Sequence, residues 1–170
     1  MLIVFGGLPG VGKTTIAREL AKAIGAVHLR IDTIEYAIRQ SSLPKGPIDD
    51  AGYCVAYAVA EDNLHLGRTV IGDSVNPLPV TREAWRGVAR KAGVRLIEIE
   101  ITCSDPREHQ RRVETRGTDF PGWTLDWREV VERDYHPWDR DRVLIDTAGA
   151  SIADSVERAV AAVRPHRSSS

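Results

Sequence analysis

The segment Gly7-Leu8-Pro9-Gly10-Val11-Gly12-Lys13-Thr14 matches the spacing G-x-x-x-x-G-K-[ST], and no other feature limits the fold so tightly. It follows Leu2-Ile3-Val4-Phe5, a continuous apolar run of the kind found in strands buried on both faces. It precedes a helical pattern, with Ile16, Leu20 and Ile24 on one face and Gly25 as the stop. Glycines let the backbone fold around an anion so that successive N–H groups point inward, and the helix N-terminus adds its positive end. Strand, glycine turn and helix in that order open a parallel α/β sheet with a phosphate cradle at the carboxyl end of its first strand.

The rest of the chain continues the alternation. The spacing predicts a strand over Ala26–Ile31, a short helix over Thr33–Gln40, and a loop through Ser41-Ser42-Leu43-Pro44-Lys45-Gly46-Pro47. Asp49 or Asp50 can cap a helix running to Leu66, stopped by Gly67. A third strand covers Thr69–Gly72 and ends at Asp73. Thr81 is placed to cap the next helix, with Val80 and Trp85 as a hydrophobic staple and Gly93 at its end. In a fourth strand, Val94–Ile101, isoleucines alternate with Glu98 and Glu100, which suggests a partly solvated face near a sheet edge. Asp105-Pro106-Arg107-Glu108 begins a helix that stops at Gly117. Thr124–His136 reads as another helix, Arg142–Ile145 as a fifth strand, and Ser151 caps the last helix. The expected fold is a three-layer α/β/α sandwich around a parallel sheet. Ligands in such sheets bind beyond the carboxyl ends of the strands.

Composition narrows the function classes. The chain of 170 residues suits one domain, expected over 1–163 with a polar tail at 164–170. Twenty-three Lys+Arg against 24 Asp+Glu leave a formal charge of -1, which argues against coating nucleic acid or an anionic membrane by bulk charge. Cys54 and Cys103 form no CxxC pair, and the histidines have no metal-ligand spacing. No apolar run reaches the ~18 residues of a membrane span, and Leu2–Phe5 is too short for a signal peptide. A cytoplasmic location is expected.

Several residues stand where chemistry is expected. In the candidate nucleotide-binding segment Gly7-Leu8-Pro9-Gly10-Val11-Gly12-Lys13-Thr14-Thr15, Lys13 should reach the β- and γ-phosphates of ATP and Thr14 should ligate Mg²⁺. Asp73, ending the third strand, fits a second Mg²⁺ ligand or a turn residue. Asp32, beyond the second strand, fits a proton acceptor or an N-cap. His109, Arg112 and Arg116 share a helix face, on which the arginines fit either guanidinium donors to a transferring phosphoryl group or a solvated face paired with Glu108 and Glu114. Trp123, Trp127 and Trp138 fit an acceptor pocket or ordinary packing. Asp146-Thr147-Ala148-Gly149 imitates a GTPase D-x-x-G, but no N-K-x-D follows, and its backbone would border the adenine.

The ordered set of Gly7–Thr14, Arg30-Ile31-Asp32, Val70-Ile71-Gly72-Asp73-Ser74-Val75-Asn76 and the helix through Arg112 and Arg116 resembles the small P-loop kinases. The closest likeness is to predicted kinases of the AAA_33 type, related to polynucleotide kinases, chloramphenicol phosphotransferase, zeta toxins and gluconate kinases. The resemblance implies a five-stranded sheet in the order 2-3-1-4-5 and a helical lid over about residues 105–138. It implies Asp32 as general base, Asp73 as Walker-B-like acid, and Arg112 and Arg116 as lid arginines; Arg82 matches an arginine often found at the start of its helix. Two features depart from the pattern: Ile31 stands where polynucleotide kinases have an arginine, and the lid is rich in tryptophan.

The expected activity is Mg²⁺-ATP-dependent transfer of the γ-phosphoryl group to a hydroxyl of a small organic molecule, such as an antibiotic or other metabolite. Two other readings stand beside it: a 5′-hydroxyl polynucleotide kinase, and a nucleotide-dependent switch ATPase without an acceptor.

Overall fold

The computed structural model describes residues 1–42, 50–117, 119–122 and 124–164. Strands β1 (Leu2–Gly6), β2 (Val27–Arg30), β3 (Val70–Asp73), β4 (Leu96–Thr102) and β5 (Val143–Asp146) form one parallel sheet in the order β2-β3-β1-β4-β5, as expected. Among the described residues the helices are α1 (Lys13–Ile24), α2 (Ile31–Gln40), α3 (Ala51–His65), α4 (Pro79–Lys91), α5 (Pro106–Thr115), α6 (Trp127–Val131) and α7 (Ile152–Val163).

Side chains alternate across a strand, so β1 feeds two cores. Ile3 and Phe5 pack with Ile16 and Leu20 of α1, Ala159 and Val163 of α7, and Ile99 and Ile101 of β4. Leu2 and Val4 pack on the other face with Ala56, Ala60 and Leu64 of α3 and Trp85 and Val88 of α4. Trp85 fits because Gly72 offers no Cβ; one built there would stand 2.8 Å from the indole ring. This three-layer sandwich fixes the carboxyl ends of β1, β2 and β3 side by side.

Several local expectations change. Helix α4 begins at Pro79 with Leu78 as N-cap, because proline favours the first helical position. Thr81 is therefore inside the helix, its hydroxyl donating to the Leu78 carbonyl at 2.9 Å, and Val80 is exposed, so no staple forms. Strand β4 lies one place in from the edge, but Glu98 and Glu100 are buried rather than solvated. Arg86 pairs with Glu98, while Tyr135 and Arg142 donate to Glu100, which supplies the partners a buried carboxylate requires. The helix expected over Thr124–His136 is confined to Trp127–Val131, capped by Asp126. Beyond it the chain turns into the core, where Trp138 covers Gly6. Asp50 holds the N-cap position of α3, with no side-chain cap bond; Asp49 and most of the loop before it lie outside the described residues, as do Trp123 and 165–170 of the tail.

Candidate active site

The phosphate-loop backbone follows from its glycines. Gly7 adopts φ 131° and Gly10 φ 86°, values side-chain-bearing residues rarely take. A Cβ at Gly7 would strike the Ile101 carbonyl, and one at Gly10 would lie 2.5 Å from Val113 of α5. Helix α5 thus packs directly on the loop, and His109 Nε2 donates to the Pro9 carbonyl at 2.8 Å. The rings of Trp127 and His109 meet at nearly a right angle, with centroids 5.0 Å apart, so one tryptophan of the expected pocket packs on the α5 histidine that holds the loop. Trp138 is core, and Trp123 lies outside the described residues.

Lys13 opens α1, is buried, and donates from Nζ to the Leu8 carbonyl at 2.8 Å. Burial lowers its pKa to about 8, against the raising fields of Asp73 and Asp32; Arg116 and Arg133 push it further down. Asp73 is almost fully buried at the end of β3, paired in register with Phe5 of β1, and accepts a hydrogen bond from His28 Nε2 at 3.1 Å. Thr14, next to Lys13, is half-buried, and Thr15 is exposed. A hydroxyl and a buried carboxylate are oxygen donors of the kind Mg²⁺ takes, and one or two protein ligands suffice when phosphates and water complete the shell. Among the described residues no cluster of three or more His, Cys, Asp or Glu could hold a metal alone.

Asp32 is the second residue of α2, whose N-cap is Arg30, so its carboxylate does not cap the helix. Arg30 Nη2 donates to it at 3.4 Å, and Arg30 Nη1 donates to Asp119. That second bond holds the Asp119 carboxyl below the usual carboxylate range. The Arg30 guanidinium also lies 4.8 Å from the centroid of Phe120, which stacks on Tyr36 of α2. The loop after α5 is thereby docked on the helix that carries Asp32.

The two arginines expected together are separated. Arg112, in α5, donates to the Thr147 hydroxyl at 2.8 Å, to the Thr147 carbonyl at 2.9 Å and to Glu108. Thr147 in turn has its hydroxyl 3.0 Å from the Val11 carbonyl, and Gly149 N donates to Glu108 at 2.9 Å. Arg112 therefore braces the loop after β5 against the phosphate loop. Arg116 is the exposed C-cap of α5 with an extended backbone, which takes it off the helical face, and its field lowers the Lys13 pKa. Arg133, exposed beyond α6, adds a field that lowers the Lys13 pKa, and sequence spacing gave no reason to select it, because its helix was expected to continue past it.

Arg82 has a defined place. It is fully buried and donates to four backbone carbonyls, those of Asn76, Pro77, His136 and Pro137, at 2.6 to 3.0 Å. Asn76 carries the left-handed φ of 48°, which asparagine tolerates, and donates from Nδ2 to the Phe5 carbonyl at 2.6 Å. Tyr53 of α3 accepts from Asn76 N at 3.2 Å. The segment Asp73–Asn76 is thus tied to β1, α3 and the chain after α6.

Comparison with known proteins agrees with this fold. The AAA_33 family model, an AAA domain, matches residues 2–126. A search of curated proteins returned no match. Among solved structures, a candidate kinase from Chloroflexus aurantiacus is similar at TM-score 0.75 and 20% identity, covering 96% of this chain and 98% of that one. Kti12 of Chaetomium thermophilum in complex with ADP-AlF3 is similar at TM-score 0.70 and 19% identity, covering 97% and 100%. The APS kinase of Mycobacterium tuberculosis in complex with AMPPNP and APS is similar at TM-score 0.70 and 19% identity, covering 95% and 96%. With the phosphate loop, the sheet order and a family model matching most of its length, the chain belongs to the AAA_33 family and has the fold of the small P-loop kinases.

Proposed function

We propose that this protein is an ATP-dependent kinase that transfers the γ-phosphoryl group of ATP to a hydroxyl of a small organic molecule. The observation that carries this reading is the sheet order: Lys13 follows β1, Asp73 ends the neighbouring β3, and Asp32 opens α2 straight after β2 on the far side of β3, so that the fields of both carboxylates reach the lysine. A switch ATPase needs the lysine and the metal ligand, but it has no use for a second carboxylate at the start of α2. The nucleotides bound by Kti12 and the APS kinase support ATP as the donor.

In this reading the loop amides and Lys13 hold the phosphates. Thr14 and Asp73 would hold Mg²⁺, which neutralises charge on the phosphate oxygens. His28 keeps Asp73 oriented. Asp32 accepts the acceptor's hydroxyl proton as that oxygen forms its bond to the γ-phosphorus. The bond from that phosphorus to the β,γ-bridging oxygen breaks, and its electron pair leaves with ADP. Arg116 and Arg133 stabilise charge on the transferring group, and the loop docked on α2 excludes water. Arg112 supports the nucleotide side through Thr147 rather than the transferring group.

The test is ADP release from Mg²⁺-ATP with and without pooled hydroxyl compounds, with Lys13→Ala as the blank. Antibiotics, nucleosides, sugars and 5′-hydroxyl oligonucleotides form separate pools. Stimulation by a small-molecule pool is expected. Stimulation by oligonucleotides alone would make it a polynucleotide kinase, and a slow rate unmoved by every pool would make it a switch.

A further inference from the structure

Helix α5 reaches the phosphate loop through one polar side chain. Asp105 caps the helix, accepting from Arg107 N and Glu108 N, and His109 N closes the first turn by donating to the Asp105 carbonyl at 2.9 Å. The His109 ring is only 6% exposed. Trp127 of α6 packs on it at nearly a right angle, and the ring itself comes so close to Gly10 that a Cβ there would stand 3.4 Å from Nε2. Held in this way, the ring donates from Nε2 to the Pro9 carbonyl at 2.8 Å, which requires the proton on Nε2.

That bond fixes a peptide plane. The Pro9–Gly10 bond is trans, and in a planar trans peptide the C=O and the following N–H point opposite ways. A Pro9 carbonyl turned toward α5 therefore turns the Gly10 N–H away from α5. Among the described residues this N–H has no acceptor. The loop's carbonyls are occupied instead: Lys13 Nζ donates to that of Leu8 at 2.8 Å, the Thr147 hydroxyl stands 3.0 Å from that of Val11, and Ile16 N donates to that of Gly12 at 3.1 Å. The plane needs holding because Gly10, at φ 86°, has the freedom to let the peptide before it turn over. Turned over, that peptide would aim a carbonyl oxygen where the N–H now points. We propose that His109 is a positioning residue for nucleotide binding: it holds the Pro9 carbonyl outward and so keeps the Gly10 N–H turned into the loop as a donor to a nucleotide phosphate. Packing against Gly10 and Trp127 would be met by an apolar ring, so it is the hydrogen bond that gives the histidine its use. The inference rests on the nucleotide part of the reading above and not on the acceptor.

The test uses the full chain with ADP and Mg²⁺. His109→Phe keeps an aromatic ring against Trp127 but has no donor, and His109→Gln restores an N–H. Calorimetry should show ADP affinity about tenfold or more weaker in His109→Phe and within about threefold of wild type in His109→Gln. In nuclear magnetic resonance spectra of the wild type, His109 Nε2 should carry a proton, and the Gly10 amide proton should move downfield as ADP saturates the protein. In His109→Phe at saturating ADP that movement should shrink, which loss of packing alone would not produce. Melting curves check that each variant folds, and the two wild-type observations test the proposal even if a variant does not. Unchanged ADP affinity in a folded His109→Phe, equal losses in the two variants, a bare Nε2, or a Gly10 amide unmoved by saturating ADP would overturn the role of His109. If the wild type binds no ADP, the nucleotide reading itself fails and this inference falls with it; if it binds ADP but phosphorylates no acceptor, the kinase reading fails alone.

Discussion

The Lys13 ammonium and the Leu8 carbonyl are 2.8 Å apart, so the lysine donates into the loop it belongs to, and burial brings its pKa to about 8. Phosphates placed at that loop favour the charged form and raise the pKa again. Binding of ATP just above pH 8 should therefore take up a proton. Calorimetry in buffers of different ionisation enthalpy should detect it, and Lys13→Met should abolish it. Between about 8 and the ordinary lysine value of 10.5 the unfolded chain holds more protons at this residue than the folded one. This group's contribution therefore makes the ligand-free protein more stable as pH rises through that window.

Arg112 and Arg116 should separate kinetically. Arg112 holds the Thr147 carbonyl and Glu108, so Arg112→Ala should raise the KM for ATP several-fold with kcat nearly kept. The proposed mechanism assigns Arg116 and Arg133, whose fields reach Lys13, to the transferring group, so Arg116→Ala or Arg133→Ala should lower kcat by about tenfold or more. Steady-state kinetics of the three variants checks the assignment, and the reverse pattern would return Arg112 to the transferring group.

Arg82 should be a stability residue. Its removal leaves the buried Asn76 carbonyl and three part-buried carbonyls without this donor, at a cost of about 3 kcal/mol. Urea denaturation of Arg82→Ala should show that loss, and Arg82→Lys should recover less than half of it, because an ammonium cannot reproduce the planar fork.

Much of this was legible in the sequence. The apolar runs and glycine stops specify the parallel sheet, and Asp105 and Ser151 cap their helices with side-chain bonds as their positions suggest. What the sequence hides is decided by tertiary partners. Glu98 and Glu100 look solvated until Arg86, Tyr135 and Arg142 are brought to them from other elements. Arg112 and Arg116 look equivalent on a helical wheel, but α5 ends at Thr115, and Thr147 captures Arg112 across the chain. His28 and His109 have no motif spacing, yet one orients Asp73 and the other grips the phosphate loop.

The most direct measurement of the central claim is transfer of the labelled γ-phosphoryl group by Asp32→Asn, made together with its ATP affinity. Asparagine keeps the size of the side chain but cannot take the hydroxyl proton. The account predicts ATP affinity within about threefold of wild type and phosphoryl transfer reduced by roughly 10²- to 10⁴-fold. Undiminished transfer in that variant would contradict it.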